Sequence, residues 1–201
     1  MDNRIFLIYK ELLQQFGHQN WWPAETPYEV VVGAILTQNT NWKNVEKALD
    51  NLRKENKLTE LAIIETENSE LETLIRSSGF YKQKAERLKL ATKKWIELLG
   101  SDLPTLELRK HWLSVKGIGK ETADSILLYA MDRQIFVIDA YTRRFCKSKL
   151  NIEFKEYDQY RELFENNLPK ELELYKEYHA LIVEWGKINS QNFQIKSNTH
   201  K

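Results

Sequence analysis

Apolar residues recur mostly three and four positions apart, which predicts helices along nearly the whole chain. Ile5, Ile8, Tyr9, Leu12, Leu13 and Phe16 form the first such stripe, and Gly17 ends it. Trp21-Trp22-Pro23 follows as a stiff aromatic connection. Thr26-Pro27-Tyr28-Glu29 has the form of a capping box with proline at the first helical position. A second helix is expected there, carrying Val30, Val31, Ala34 and Ile35. A break at residues 38–41 precedes a helix with Trp42, Val45, Leu49 and Leu52 on one face. Ser69-Glu70-Leu71-Glu72 reads as another capping box, and Gly79 should close its helix. Ala85, Leu88, Trp95, Ile96 and Leu99 mark the next helix, which Gly100 ends. Pro104 opens a helix pair, and the last strong stripe runs through Leu174, Tyr178, Leu181, Ile182 and Trp185. The polar tail from Asn189 is expected to fray. The apolar run at residues 134–138 is too short to type by pattern. With no repeats and few strand signals, the expected fold class is all-α.

Within the helix pair, Val115-Lys116-Gly117-Ile118-Gly119-Lys120 separates two amphipathic segments. Leu108, Trp112 and Val115 line one; Ala123, Ile126, Leu127 and Ala130 line the other. Two glycines flanking one apolar residue let the backbone turn tightly and approach another surface closely. Ile118 can plug back into the core. The second helix then starts at residues 120–122, so its free amides point into the turn. Those amides, the positive helix end, Lys116 and Lys120 suit a phosphate, read as backbone and not as sequence. An ordinary helix–helix turn is the simpler reading of the glycines alone.

Composition changes this picture little. Apolar residues are 42 % and charged residues 29 %, ordinary for a globular protein. A chain of 201 residues can build one sizeable core or two small lobes sharing segments. No apolar run approaches the roughly 18 residues of a membrane span. Residues 1–9 lack the layout of a secretory signal, so a cytoplasmic location is expected. The net charge of +1 is silent about nucleic acid. Locally, however, Arg133, Arg143, Arg144, Lys147 and Lys149 surround a single acid, Asp139, which makes a phosphate-facing stretch plausible. The one cysteine, Cys146, can form no internal disulfide and no cysteine-based zinc or iron–sulfur site alone. It reads as a small buried apolar residue. His18, His111, His179 and His200 show no ligand-like grouping, and His179 reads as a core or pocket-wall residue.

The segment Val115-Lys116-Gly117-Ile118-Gly119-Lys120-Glu121-Thr122-Ala123-Asp124, followed by Val137-Ile138-Asp139, resembles the helix–hairpin–helix (HhH-GPD) glycosylases of the endonuclease III superfamily. Gly33-Ala34-Ile35-Leu36-Thr37-Gln38, Ser78-Gly79-Phe80-Tyr81-Lys82-Gln83-Lys84-Ala85 and the last helix from His179 to Lys187 are similar to further parts of that family. The resemblance implies a single two-lobed unit with an active-site cleft between lobes. One lobe, about residues 23–136, would contain the hairpin at 115–120. The other would combine about 1–22 with 137–201.

It also implies roles. Asp139, at the end of Ile135-Phe136-Val137-Ile138, would stabilise positive charge on the sugar as a base–sugar bond breaks, and orient water. Capping the helix from Ala140 is an equally natural use for it. Gln38 would fill the gap left by a flipped base, with Lys116, Gly117, Gly119, Lys120 and Thr122 holding DNA. A monovalent cation on the backbone carbonyls of Val115 and Gly117 is implied too, with no side-chain metal site. Where lyase members carry the attacking lysine, this chain has Glu121, which can form no Schiff base. Monofunctional hydrolysis is therefore expected. The cluster cysteines are absent, so no iron–sulfur cofactor is expected.

Trp21-Trp22-Pro23, Leu36-Thr37-Gln38-Asn39-Thr40 and Trp42 are similar to the 3-methyladenine branch, which implies removal of alkylated purines. A cationic purine stacks well on indole, so Trp21, Trp22, Pro23 and Trp42 are the base-pocket candidates. Trp42 fits a core face equally well, and of Trp21 and Trp22 one is expected in core and one in pocket. Lys187, on an apolar helix, is counted with the base pocket, and would need a carboxylate partner or modification if buried. The expected partner is double-stranded DNA with an alkylated base, bound by a monomer. An oxidised-pyrimidine glycosylase/lyase and a non-catalytic DNA-binding module are the alternatives.

Overall fold

The computed structural model describes residues 3–198, with side chains for 4–189. His200 lies outside the described residues. The helices are α1 (Asn3–Phe16), α2 (Pro27–Leu36), α3 (Trp42–Lys54), α4 (Glu60–Glu65), α5 (Asn68–Leu74), α6 (Tyr81–Leu98), α7 (Thr105–Leu113), α8 (Lys120–Tyr129), α9 (Ala140–Phe145), α10 (Tyr157–Asn167) and α11 (Leu172–Asn198). The described residues contain no strand, so the fold is all-α as the pattern predicts. Contacts divide the chain into two compact units, one of Met1–Pro23 with Gln134–Lys201, the other of Ala24–Arg133.

The central unit is built around α2. Thr26 caps it, its hydroxyl accepting from the Glu29 amide at 3.1 Å. Only half of the expected capping box forms, because Glu29 accepts instead from the Glu25 amide and from Arg53. Val30, Val31, Val32, Ala34, Ile35 and Leu36 are all buried, so α2 is apolar on every side and not amphipathic. It packs against α6 and α8. Two expectations are corrected here. The helix after Glu67 starts at Asn68 with no side-chain cap, so Ser69 does not initiate it. Ile96 and Leu99 point to solvent, since the buried face of α6 is Ala85, Leu88, Ala91, Trp95 and Leu98. The pattern also misses α4, a single short helix capped by Thr59.

The other unit has an aromatic core. Phe136 stacks on Phe164 with ring centroids 4.2 Å apart, and Tyr178 meets both edge-on. Tyr178 also donates to the Ile5 carbonyl at 2.8 Å, tying α11 to α1. Residues 134–138 are neither helix nor strand, yet Ile135, Phe136, Val137 and Ile138 are buried. A buried irregular segment needs partners for its amides. Phe136 N–H donates to the Glu165 carboxylate at 2.9 Å, and Ile138 N–H to the Tyr157 hydroxyl at 3.1 Å. These bonds fix the segment that delivers Asp139. Gly186 allows α11 to approach α9, because a Cβ there would collide with the Tyr141 ring. Backbone helix continues to Asn198, through part of the tail expected to fray.

Candidate active site

Asp139 is the N-cap of α9, with the extended backbone that a cap requires. Its Oδ1 accepts from the Thr142 amide at 2.7 Å and the Thr142 hydroxyl at 2.9 Å. Oδ2 faces His179 Nε2 at 3.5 Å. The carboxylate therefore caps the helix with one oxygen and keeps the other beside an imidazole; capping and a chemical role do not compete. Burial by itself raises its pKa. The hydrogen bond and charge of His179 and the two Thr142 bonds outweigh that, holding the carboxyl below its usual range. Asp139 is thus an anion at neutral pH, poised to stabilise a cation. His179, on α11, is buried and is the partner that sequence reading left as core or pocket wall. Its only signal was a histidine on an otherwise apolar helical face.

Trp21, Trp22 and Pro23 belong to the same unit as Asp139. Both indoles are half-buried, with centroids 5.2 Å apart and planes tilted by 48°, so the expected division into one core and one pocket ring is not seen. Pro23 is exposed. Lys187 is not buried: its side chain is 49 % accessible, 3.6 Å from Glu184 and 5.6 Å from the Trp21 ring centroid. The cation lies over an indole, so burial sets no demand for a modified lysine. The basic stretch is largely committed within the protein. Arg133 donates to the Ser101 carbonyl, Arg143 lies over Tyr160, Arg144 over Tyr141, and Lys147 pairs with Glu153. Cys146 is a free, buried thiol whose pKa burial pushes up to about 12.

The central unit holds the hairpin. α7 and α8 carry the expected buried faces, and Ile118 is buried between them. Arg109 on α7 and Asp124 on α8 form a two-point buried ion pair at 2.6 and 3.0 Å, a brace the sequence reading missed. Gly117 has φ +86°, a conformation that favours glycine, and a Cβ there would also meet the Arg87 guanidinium. Gly119 differs: it is the N-cap of α8 in extended backbone, and a Cβ would meet nothing. Its open face suits close approach by an external surface. Lys116 is exposed, Lys120 half-buried at the first position of α8, and Glu121 exposed.

Gln38 is not free to point outward. Its Nε2 donates to the Gly117 carbonyl at 3.2 Å and to the Thr122 hydroxyl at 2.9 Å, while Arg87 donates to its Oε1. Thr122 is correspondingly buried and braces Gln38, so its hydroxyl does not face a DNA strand. The Val115 carbonyl accepts from the Ile118 amide. With Gly117 O bonded to Gln38, each carbonyl proposed for a cation retains one lone pair and gains no side-chain ligand. No cluster of metal-ligating side chains occurs among the described residues. Trp42 is half-buried and donates to Glu46, which takes it off the core face that Val45, Leu49 and Leu52 make.

Two further residues of this unit were unforeseen. Lys84 is buried on α6, donating to the Leu36 carbonyl at 2.8 Å and the Ser78 carbonyl at 2.6 Å. It ties the end of α2, just before Gln38, to the turn before α6. Burial, then the nearby Arg87 charge, lowers its pKa to about 8. That turn presents Phe80, 62 % exposed in left-handed backbone at φ +48°. Left-handed backbone is unusual for a bulky residue, so this exposed ring stands out as a candidate contact.

Comparison with known proteins agrees with this geometry. Residues 32–170 match the HhH-GPD superfamily of base excision DNA repair proteins. A provisionally named DNA repair glycosylase of Methanocaldococcus jannaschii is 58 % identical, over 90 % of this chain and 86 % of that one. Endonuclease III of Thermotoga maritima is 25 % identical over 90 % of this chain and 78 % of its own. Among solved structures, the H. pylori 3-methyladenine DNA glycosylase bound to 1,N6-ethenoadenine superposes with a TM-score of 0.79 at 33 % identity, covering 92 % of this chain and 98 % of that one. An endonuclease III trapped covalently on DNA shares the fold at a TM-score of 0.77 and 19 % identity, over 94 % and 87 %. The capped carboxylate, the glycine hairpin and the extent of these matches make the chain a member of the HhH-GPD superfamily of base excision repair proteins, and a DNA N-glycosylase.

Proposed function

We propose that the chain is a monofunctional glycosylase that removes alkylated purines of the 3-methyladenine type from double-stranded DNA. The observation that carries this reading is Asp139, an ionised carboxylate with one oxygen committed to Thr142 and the other beside His179. As the N-glycosidic bond of a flipped nucleotide lengthens, positive charge grows on the sugar. A fixed anion beneath it lowers that barrier and orients the attacking water. The alkylated base is itself cationic and leaves readily, so little acid catalysis is needed. Trp21, Trp22, Pro23 and Trp42 are the base-stacking candidates, with Lys187 beside Trp21.

Glu121 supports hydrolysis over lyase chemistry, because a carboxylate at the position of the family's attacking lysine can form no imine. With one cysteine, the chain has no set of thiolates for an iron–sulfur cluster. The 3-methyladenine relative supports the lesion class. Hairpin amides, Lys116 and Lys120 hold the phosphates, and the enzyme acts as a monomer. Gln38, once released from its internal bonds, and Phe80 are the residues offered to the duplex. The experiment is release of free base from N-methylated DNA, with borohydride trapping alongside. Release of 3-methyladenine without a trapped covalent complex is expected. A trapped complex on oxidised pyrimidines, or duplex binding without release of any base, would overturn the proposal.

A further inference from the structure

Arg87 stands half-buried on α6, one turn after Lys84, with its guanidinium against Gly117 of the hairpin. Gln83, Glu86, Arg87 and Leu90 of α6, together with Lys116 of the hairpin, line an open depression of about 310 Å³. Two cations and a side-chain amide thus line one depression, with the Arg87 guanidinium packed on the Cβ-less face of Gly117. Glu86 is the one carboxylate of that lining. The bond from Arg87 to Gln38 ends on a neutral amide oxygen. A guanidinium carries five N–H donors in a planar fork matched to phosphate, and charge-assisted bonds are roughly twice as strong as neutral ones. A phosphate is therefore the stronger acceptor for this guanidinium than the amide it now holds.

We propose that Arg87, with Lys116 across the depression, forms a second DNA-phosphate site on α6, and that Arg87 leaves Gln38 to occupy it. Gln38 is then held only by Gly117 and Thr122. Phosphate binding beside the hairpin thereby loosens the side chain placed to probe the base stack.

The test uses the full chain and an undamaged duplex, so its outcome does not depend on the lesion class. Affinity is measured across a series of salt concentrations for wild type, Arg87→Met, Arg87→Gln, Arg87→Lys and Gln38→Ala. Each phosphate neutralised contributes about 0.9 to the log–log salt slope. Arg87→Met and Arg87→Gln should each flatten the slope by about 0.9, so that raising salt fourfold costs about 3.5-fold less affinity than in wild type. Arg87→Lys should keep the wild-type slope, because it keeps the charge. Gln38→Ala removes the brace but no charge, and should also keep it. Wild-type slopes for the two neutral Arg87 variants would overturn the proposal, since Arg87 would then act only through Gln38. Thermal melting identifies any variant that does not fold; the glutamine variant is the less disruptive of the two.

Discussion

Asp139 combines two uses that single-residue reasoning sets against each other. Capping α9 requires one oxygen as acceptor, and asparagine supplies that as well as aspartate does. Stabilising a sugar cation requires the charge. Asp139→Asn should therefore keep the cap and fold, melting somewhat below wild type at neutral pH because it lacks the charge that faces His179, yet lose base release by about 100-fold or more. The lowered pKa adds a pH signature. A carboxyl depressed in the folded state gives stability that is complete above its unfolded pKa and is lost as pH falls through the folded one. Melting of wild type relative to Asp139→Asn, followed down through the ordinary value of 3.8, should show the advantage surviving past that value before it disappears. Replacing His179 with leucine should shift that loss to higher pH. Lys84 has the opposite charge and a shift in the same direction. Its folded pKa of about 8 lies below the usual 10.5, so the folded state sheds its proton first. Stability relative to Lys84→Met should then rise between about pH 8 and 10.5, readable from denaturant midpoints.

The hairpin's two glycines look equivalent in sequence and are not equivalent in structure. Gly117→Ala puts a Cβ into left-handed backbone and against Arg87, and should cost about 1–2 kcal/mol of stability in urea melts. Gly119→Ala meets nothing and adopts an ordinary conformation, so it should leave stability unchanged and weaken duplex binding instead. Truncating Asp124 leaves Arg109 buried without its brace and should cost about 3–5 kcal/mol. Much at this scale was legible in the chain. The stripes of α1, α7 and α8 and the break after Leu36 follow from apolar spacing and punctuation. What spacing could not give is where a polar side chain goes. Ser69 fits a capping box but leaves the cap to Glu67, and Ile96 and Leu99 sit on the wrong side of α6. Spacing does not show that Gln38 turns inward, because neither Arg87, 49 positions away, nor Thr122, 84 away, advertises itself as its partner.

Across the molecule, the chemistry divides as the chain does. Asp139, His179 and the Trp21–Trp22 pair fold with the N- and C-terminal segments; the hairpin, Gln38 and Phe80 fold with the central one. The unit bearing Asp139 joins α1 to residues far along the chain, as through Tyr178 and Ile5, 173 positions apart. No local pattern announces such a union. The net charge of +1 gives no general attraction to DNA, so affinity must rest on a few placed cations and amides and should fall with salt by a correspondingly small slope. The most direct single measurement is single-turnover release of free base from N-methylated duplex DNA by wild type and Asp139→Asn. Release of 3-methyladenine by wild type, slowed by about 100-fold or more in the variant, is the predicted result. Equal rates for the two proteins would contradict the central role of Asp139.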